Sequence, residues 1–421
     1  MTRTGAGARA ASALPALGAF IATVALMLSL AGTAAARLPR PSLQSASAGI
    51  VIDARSGAIL LQKHPDAHRS IASTTKLMTA LLVLEHDRMN AVFTAPAYNA
   101  LPAESKINLR QGERMKVRDL LTALLLESAN DAAVDLAVGT AGSRDAFVSL
   151  MNRRARALGL KNTHYANPIG LDSPRNYSTA RDLATLAHRL MADKRFAAIV
   201  DRPRARLESG SHPRTVHNRN LLIGRYRFVD GVKTGHTIAA RYVLVGAGHG
   251  NGGKVISVVL GEPGEAARDG DTLALLRWGI DQFHKVTILR AGQRVAYAKV
   301  AGDDKLRIPL ITRRRATFTL RRGQKLRLRV HAPAELEGPL PAGRRVGSVD
   351  VVFLGRTVRT LGLVTAREVP EKHASLVGRV TGALGPPLTA LALIIVVLGG
   401  VLLGLRLRAV LQRNQRTVSS R

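Results

Sequence analysis

The sequence predicts an α/β body, a small all-β domain behind it and a C-terminal transmembrane helix. Three observations predict this order. Apolar strand patterns at 48–61 return at 242–260, with helical patterns between them. Short alternating strands run from Lys285 to about Val369, and an uncharged apolar run covers Leu388 to Leu405.

Arg3 and Arg9 precede an apolar stretch from about Ala16 to Leu30, followed by Ala34-Ala35-Ala36. A short basic region, an apolar core and an Ala-x-Ala site make a secretory signal over residues 1–36, cut after Ala36. At the far end, Leu388 to Leu405 is just long enough to cross a bilayer as a helix. Arg406, Arg408, Arg413, Arg416 and Arg421 follow with no acidic residue, so the tail 406–421 is expected inside the cell and the body outside.

The body spans 41–283. Ala48 to Asp53 and Ala58 to Leu61 read as a hairpin turned at Arg55-Ser56-Gly57. Ile71-Ala72-Ser73-Thr74-Thr75-Lys76 opens a helix whose apolar positions are Leu77, Leu81, Leu82 and Leu84. Helical patterns dominate from Val117 to about Ile199, divided by loops such as Asn162 to Asp172. Tyr242 to Gly246 and Val255 to Leu260 are strands joined by a glycine-rich turn, and a helix from Asp271 to Phe283 closes the region. Strands at both ends of a helical stretch imply one sheet assembled from distant segments. The second domain, 285–369, alternates apolar and basic residues, as in Gln324 to Val330, and a linker at 370–387 leads to the span.

Composition narrows the chemistry. The chain has no cysteine, which removes thiol catalysis, disulfides and cysteine-ligated metals together. Its twelve histidines show no His-Glu-x-x-His spacing, so neither metal nor other cofactor is implied. Lys and Arg number 62 against 29 Asp and Glu, a net charge of +33 that suits anionic surroundings: nucleic acid, lipid or an acidic wall polymer. Export argues against nucleic acid, and leaves contact with anionic lipid or wall polymer.

Three short motifs carry the chemistry. In the first, Ser73 stands three residues before Lys76, so the two share a helix face. A serine hydroxyl needs a nearby base, and a lysine serves only if burial or a neighbouring cation lowers its pKa. The second is Ser128-Ala129-Asn130, where a hydroxyl could relay a proton and an amide could bind a substrate amide. The third is Lys233-Thr234-Gly235-His236, which on a strand at the cleft edge presents a cation to a substrate carboxylate and repels a proton from Lys76. Thr234 adds a hydroxyl, and Gly235 admits substrate backbone. Each motif alone is common. Together and in this order they match a penicillin-interacting signature.

From about Pro41 to Phe283 the chain resembles the serine D-alanyl-D-alanine carboxypeptidases, the low-molecular-mass penicillin-binding proteins. Beyond the three motifs, Asp53 to Gly57, Met151-Asn152, Ser178 to Ala184 and Asp230 to Thr237 carry the likeness, and the segment after Lys285 resembles the family's second domain more loosely. The resemblance implies a β-lactamase/transpeptidase-like domain, an antiparallel sheet flanked by helices with a helical subdomain. It implies that Ser73 forms the acyl-enzyme, Lys76 is the base and Ser128 shuttles the proton. Asn130 and Lys233 hold substrate, and the backbone N–H groups of Ser73 and His236 form the oxyanion hole. Arg219 and Arg268 fall where the family places arginines near the substrate carboxylate. Arg241 stands where the family has glycine, and Ile169 where it often has histidine.

The implied reaction is removal of the terminal D-alanine from peptidoglycan stem peptides, with β-lactams as covalent inhibitors, by an enzyme held at the cell membrane. The rivals are a serine β-lactamase or DD-endopeptidase on the same fold, or a silent wall-binding or sensor module. The loop Asn162 to Asn176 offers Asp172 but no glutamate to activate a deacylating water, which counts against a lactamase.

Overall fold

The computed structural model describes residues 38–371, 390–391 and 393–409. The expected secretory signal at 1–36 and most of the linker lie outside them. The described residues fall into two compact units: 38–286 with 317–325, and 287–316 with those from 326 onward.

The first unit starts with β1 (Ala48–Asp53) and β2 (Ile59–Lys63). A 3₁₀ turn at Ala72–Thr75 leads directly into α1 (Lys76–His86). β3 (Val92–Thr94) and β4 (Arg114–Lys116) pair across a long irregular loop before α2 (Val117–Leu126), α3 (Asn130–Ala141) and α4 (Arg144–Ala157). After a second long loop come α5 (Ala180–Met191), α6 (Lys194–Val200) and a small hairpin, β5 (Arg204–Leu207) with β6 (Arg214–His217). β7 (Val229–Thr237), β8 (Arg241–Gly250) and β9 (Gly253–Glu262) then form a meander, and α7 (Glu265–Asp281) covers it.

The main sheet has the order β2-β1-β9-β8-β7, antiparallel throughout, so the two ends of the unit meet at the β1–β9 ladder. Its strands are apolar on both faces because both faces are covered. Ile50, Ile52, Val243, Val245, Ile256 and Val258 point to the α1–α6 side, while Val51, Leu244, Val255 and Val259 pack with Leu275 and Leu276 of α7. The strand period of two divides one apolar run between two cores. A fully buried leucine such as Leu82 or Leu276 contributes about 2–3 kcal/mol.

Helix α7 starts at Glu265 rather than Asp271. Asp269-Gly270-Asp271 reads as a break in sequence, yet a glycine inside a packed helix costs only about 1 kcal/mol. The β3–β4 and β5–β6 pairings had no recognisable sequence signal.

The strand β10 (Phe283–Leu289) pairs with β13 (Ala316–Arg321). The second unit holds a six-stranded sheet built from β11 (Arg294–Val300), β12 (Asp303–Thr312), β14 (Arg327–His331), β15 (Glu335–Leu336), β16 (Arg345–Phe353) and β17 (Arg356–Thr365). Its order is β14-β16-β17-β12-β11-β15. The expected membrane span at 388–405 is not reproduced: among the described residues no helix is long and apolar enough to cross a membrane. Residues 388, 389 and 392 lie outside them, and 393–409 are helical with exposed apolar side chains.

Candidate active site

Ser73 sits in the 3₁₀ turn one step ahead of α1, not within the α-helix. Ala72 before it takes φ 46°, a conformation L residues rarely adopt, and this presents Ser73 at the mouth of the turn. Lys76, the first residue of α1, is fully buried, and its Nζ donates to Ser73 Oγ at 2.9 Å and to the Ile169 carbonyl at 2.5 Å. Burial first, and then the Lys233 charge, hold its proton affinity well below that of an ordinary lysine, with Glu104 and Asp131 opposing.

The Ile169 carbonyl is aimed by the loop 162–178, which is tied down at several points. Asn167 Oδ1 accepts from the N–H groups of Ile169, Gly170 and Leu171, Thr79 Oγ1 donates to the Pro168 carbonyl, and Asn176 Nδ2 donates to Thr75 Oγ1. Gly170 has φ 91°, and a Cβ there would lie 2.0 Å from the Ala72 carbonyl oxygen, so only glycine fits. Asp172 is engaged at the end of this loop: its carboxylate accepts from Thr237 Oγ1 at 2.7 Å and from Ala239 N at 3.2 Å. It braces the β7–β8 turn.

β7 is the edge strand of the main sheet, as the third motif requires. A Cβ on Gly235 would lie 2.9 Å from Ser73 N, which shows how closely β7 backbone passes the nucleophile. Lys233 is buried, donates to the Thr234 carbonyl at 3.0 Å, and is brought down to about 7 by burial first, then by Arg219 and Arg268, against Glu127. Thr234 is buried beside it, and His236 stacks on Tyr242 with ring centroids 4.1 Å apart.

The two arginines differ. Arg268 is buried on α7, ion-paired with Glu265 at 3.1 Å and Asp269 at 2.8 Å, and lies over the Tyr242 ring. Arg219 is exposed and ion-paired with Glu127. Both act on Lys233 by charge.

Ser128 lies buried in the turn between α2 and α3 with φ 64°, and no hydrogen bond joins it to Lys76 or Ser73 among the described residues. Asn130 begins α3, and its Nδ2 donates to Glu104 Oε2 at 2.7 Å. Glu104 was missed by motif reading. It also accepts from Tyr98 Oη and from Leu101 N. Partial burial disfavours its charge, but the bonds from Tyr98, Asn130 and Leu101 hold its carboxyl below the usual range. It sits in the irregular loop between β3 and β4, which Asp131 stitches to α3 through Ile107 N and Leu109 N. The loop's length was the one available signal, since long structureless connections in compact domains tend to be functional.

Arg241, where the resemblance predicts glycine, has φ 56° and an exposed side chain. Among the described residues no three His, Asp or Glu side chains are grouped to hold a metal ion.

A nucleophile beside a buried, charge-depressed amine, facing a cationic strand edge, is suited to acyl transfer on a substrate ending in a carboxylate. A family model described as D-alanyl-D-alanine carboxypeptidase matches residues 34–264, and one described as the C-terminal domain of penicillin-binding protein 5 matches 283–371. The D-alanyl-D-alanine carboxypeptidase DacA of Escherichia coli K12 is 33% identical over 336 residues, covering 76% of this chain and 83% of its own. Penicillin binding protein 5 from Haemophilus influenzae superposes with a TM-score of 0.56 at 29% identity, covering 80% of this chain and 100% of its own. The Streptomyces K15 DD-transpeptidase superposes with a TM-score of 0.54 at 32% identity, covering 56% of this chain and 97% of its own.

Proposed function

The chain belongs to the D-alanyl-D-alanine carboxypeptidase family, and from that premise we propose that it removes the terminal D-alanine from peptidoglycan stem peptides through an acyl-enzyme on Ser73. The observation that carries this is the 2.9 Å bond between Lys76 Nζ and Ser73 Oγ, made by a fully buried amine.

Lys76 takes the Ser73 proton as Oγ attacks the carbonyl between the two D-alanines. The oxyanion that forms meets the backbone N–H groups of Ser73 and His236, a role supported by the close passage of β7 at Gly235. Asn130 binds the substrate amide, and Ser128 passes a proton to the departing D-alanine. The terminal carboxylate binds at Lys233, with Thr234 beside it and Arg219 and Arg268 behind. Arg219 and Arg268 are already ion-paired, which leaves Lys233 as the cation most in need of an anion. Carboxylate binding favours the charged form of Lys233. Water then hydrolyses the ester. β-Lactams acylate the same serine, and their release is slow because Asp172, the loop's carboxylate, is occupied by Thr237 and Ala239.

The domain reading assigns 41–283 to catalysis and 285–369 to a β-rich accessory domain. Export through residues 1–36 and attachment to the membrane through 388–405 complete the proposal. The latter is supported by the absence of charge over that stretch, the arginines behind it and the exposed apolar side chains of 393–405.

The test is D-alanine release from diacetyl-Lys-D-Ala-D-Ala, with fluorescent penicillin labelling alongside, for the wild type and Ser73→Ala. Release and a stable label, both lost in Ser73→Ala, are expected. Neither signal from folded protein would overturn the reading, and rapid label turnover would make it a lactamase.

A further inference from the structure

We propose that Glu127 is a positioning residue that holds Arg219 and competes for it with the substrate carboxylate. This rests on the carboxylate-binding reading proposed above, and names a residue that sets how tightly that site holds its anion.

Glu127 follows the last residue of α2 and immediately precedes Ser128, so it stands at the corner where the second motif begins. Its side chain is 16% exposed. Both carboxylate oxygens are taken by one segment, Oε1 by the Arg219 guanidinium and Oε2 by the His217 N–H at 3.1 Å. Arg219 N in turn donates to the Leu126 carbonyl at 3.0 Å. The turn 126–128 and the segment 217–219 are therefore joined through two backbone N–H groups and one ion pair.

Of these links, the ion pair is the one that can exchange. The backbone on either side of Arg219 is fixed by buried asparagines. Asn218 Nδ2 donates to the Val200 and Arg202 carbonyls, Asn218 Oδ1 accepts from Asn220 N, and Asn220 Oδ1 accepts from Leu222 N. The Arg219 side chain itself is 56% exposed, and among the described residues it forms no ion pair besides the one with Glu127. It can turn to a second anion through its own side-chain torsions, with the backbone unmoved. Arg268 is the contrast: its side chain is 3% exposed and holds Glu265 and Asp269 at once.

The second anion arrives next to it. After burial itself, Arg219 is the charge that most depresses Lys233, ahead of Arg268, with Glu127 opposing. A charge felt this strongly is close, so a carboxylate bound at Lys233 also lies in the field of Arg219. It meets there a guanidinium already neutralised by Glu127. An exposed ion pair is worth at most about fivefold in an equilibrium, so the exchange is reversible. Apparent affinity is reduced by the fraction of Arg219 that Glu127 holds. As D-alanine departs with its carboxylate, Glu127 retakes Arg219.

The test compares full-length wild type, Glu127→Gln, Arg219→Ala and the double variant at about pH 6, below the Lys233 value of about 7, so that Lys233 is charged. Glu127→Gln keeps an oxygen for His217 N and removes the charge. Its KM for diacetyl-Lys-D-Ala-D-Ala is expected to fall about two- to fivefold, with kcat within about twofold. Hydrolysis of the methyl ester of diacetyl-Lys-D-alanine, which offers the same carbonyl without a carboxylate, is expected not to change. In the Arg219→Ala background the same substitution is expected to alter KM by less than about 1.5-fold. Glu127→Asp, whose shorter side chain draws the charge back from Arg219, is expected to lower KM in the same direction, and penicillin labelling reports the folding of each variant. An unchanged or raised KM in both Glu127 variants overturns the competition. So does an equal gain without Arg219, which makes the effect simple repulsion of substrate by Glu127. An equal change with the ester also overturns it, and makes Glu127 a structural brace. Absence of D-alanine release from folded wild type overturns the enzyme reading, whereas release with none of these KM shifts overturns the competition alone.

Discussion

Lys76 Nζ lies between Ser73 Oγ at 2.9 Å and the Ile169 carbonyl at 2.5 Å, so the amine is held at the nucleophile by a main-chain oxygen of the 162–178 loop. This fixes the geometry of proton transfer, while burial and the Lys233 charge make the neutral amine available.

Acylation by penicillin is therefore expected to fall as pH drops through the Lys76 transition, at a pH well below that of an ordinary lysine. Lys233→Ala removes a like charge, so it moves that transition to higher pH while also weakening binding. The second-order acylation rate against pH separates the two effects. An unmoved transition would mean that Lys233 does not tune the base.

Glu104 is expected to act in the opposite sense. Its charge favours protonated Lys76, and its acceptor-only carboxylate fixes which end of the Asn130 amide is nitrogen. Glu104→Gln should shift the acid limb to lower pH and reduce kcat/KM about tenfold, the worth of one hydrogen bond to a charged group. A drop in rate with an unchanged pH profile would reduce Glu104 to a structural role.

The pair Ser73 and Lys76 was legible because helical spacing alone brings residues three apart together. Lys233 was legible as a motif, and its place on an edge strand followed. Glu104 was not, because it meets Asn130 across 26 residues through a loop with no periodicity. The 3₁₀ turn at Ser73 was also hidden: it contains Ala72 at positive φ, packed closely against the backbone at Gly170 and Gly235, which are distant in sequence. The roles of Arg219 and Arg268 were legible only by resemblance, since an arginine-rich chain offers many candidates.

Asp172 gives a direct test of the slow-deacylation reading. If it only braces Thr237 and Ala239, Asp172→Ala loosens the β7–β8 turn and lowers kcat/KM for peptide about tenfold. The lifetime of the penicillin label should not lengthen. A label several times longer-lived would identify Asp172 as a base in deacylation.

Arg241 occupies φ 56° with its side chain in solvent. A left-handed L residue costs about 1–2 kcal/mol, and glycine avoids this but loses about 0.5–1 kcal/mol through unfolded-chain entropy. Arg241→Gly is expected to raise stability by about 0.5–1 kcal/mol, or Tm by about 1–4 °C, with carboxypeptidase activity retained. A lower Tm would show that the arginine makes a stabilising contact.

Asp135 on α3 is fully buried, neither carboxylate oxygen has a hydrogen-bond partner among the described residues, and burial first, then Asp131 and Glu113, push it up to about 7. Unfolded, it releases its proton near the ordinary value of 3.8. Between those pH values the unfolded chain binds fewer protons than the folded one, so stability falls as pH rises and levels off above about 7. The loss is on the order of 2–4 kcal/mol. Asp135→Asn removes the ionisation, so it is expected to stabilise the protein at pH 8 and to change little at pH 5. Urea unfolding of both proteins at the two pH values checks this. An equal change at pH 5 and pH 8 would show that Asp135 does not ionise in the folded protein over this range.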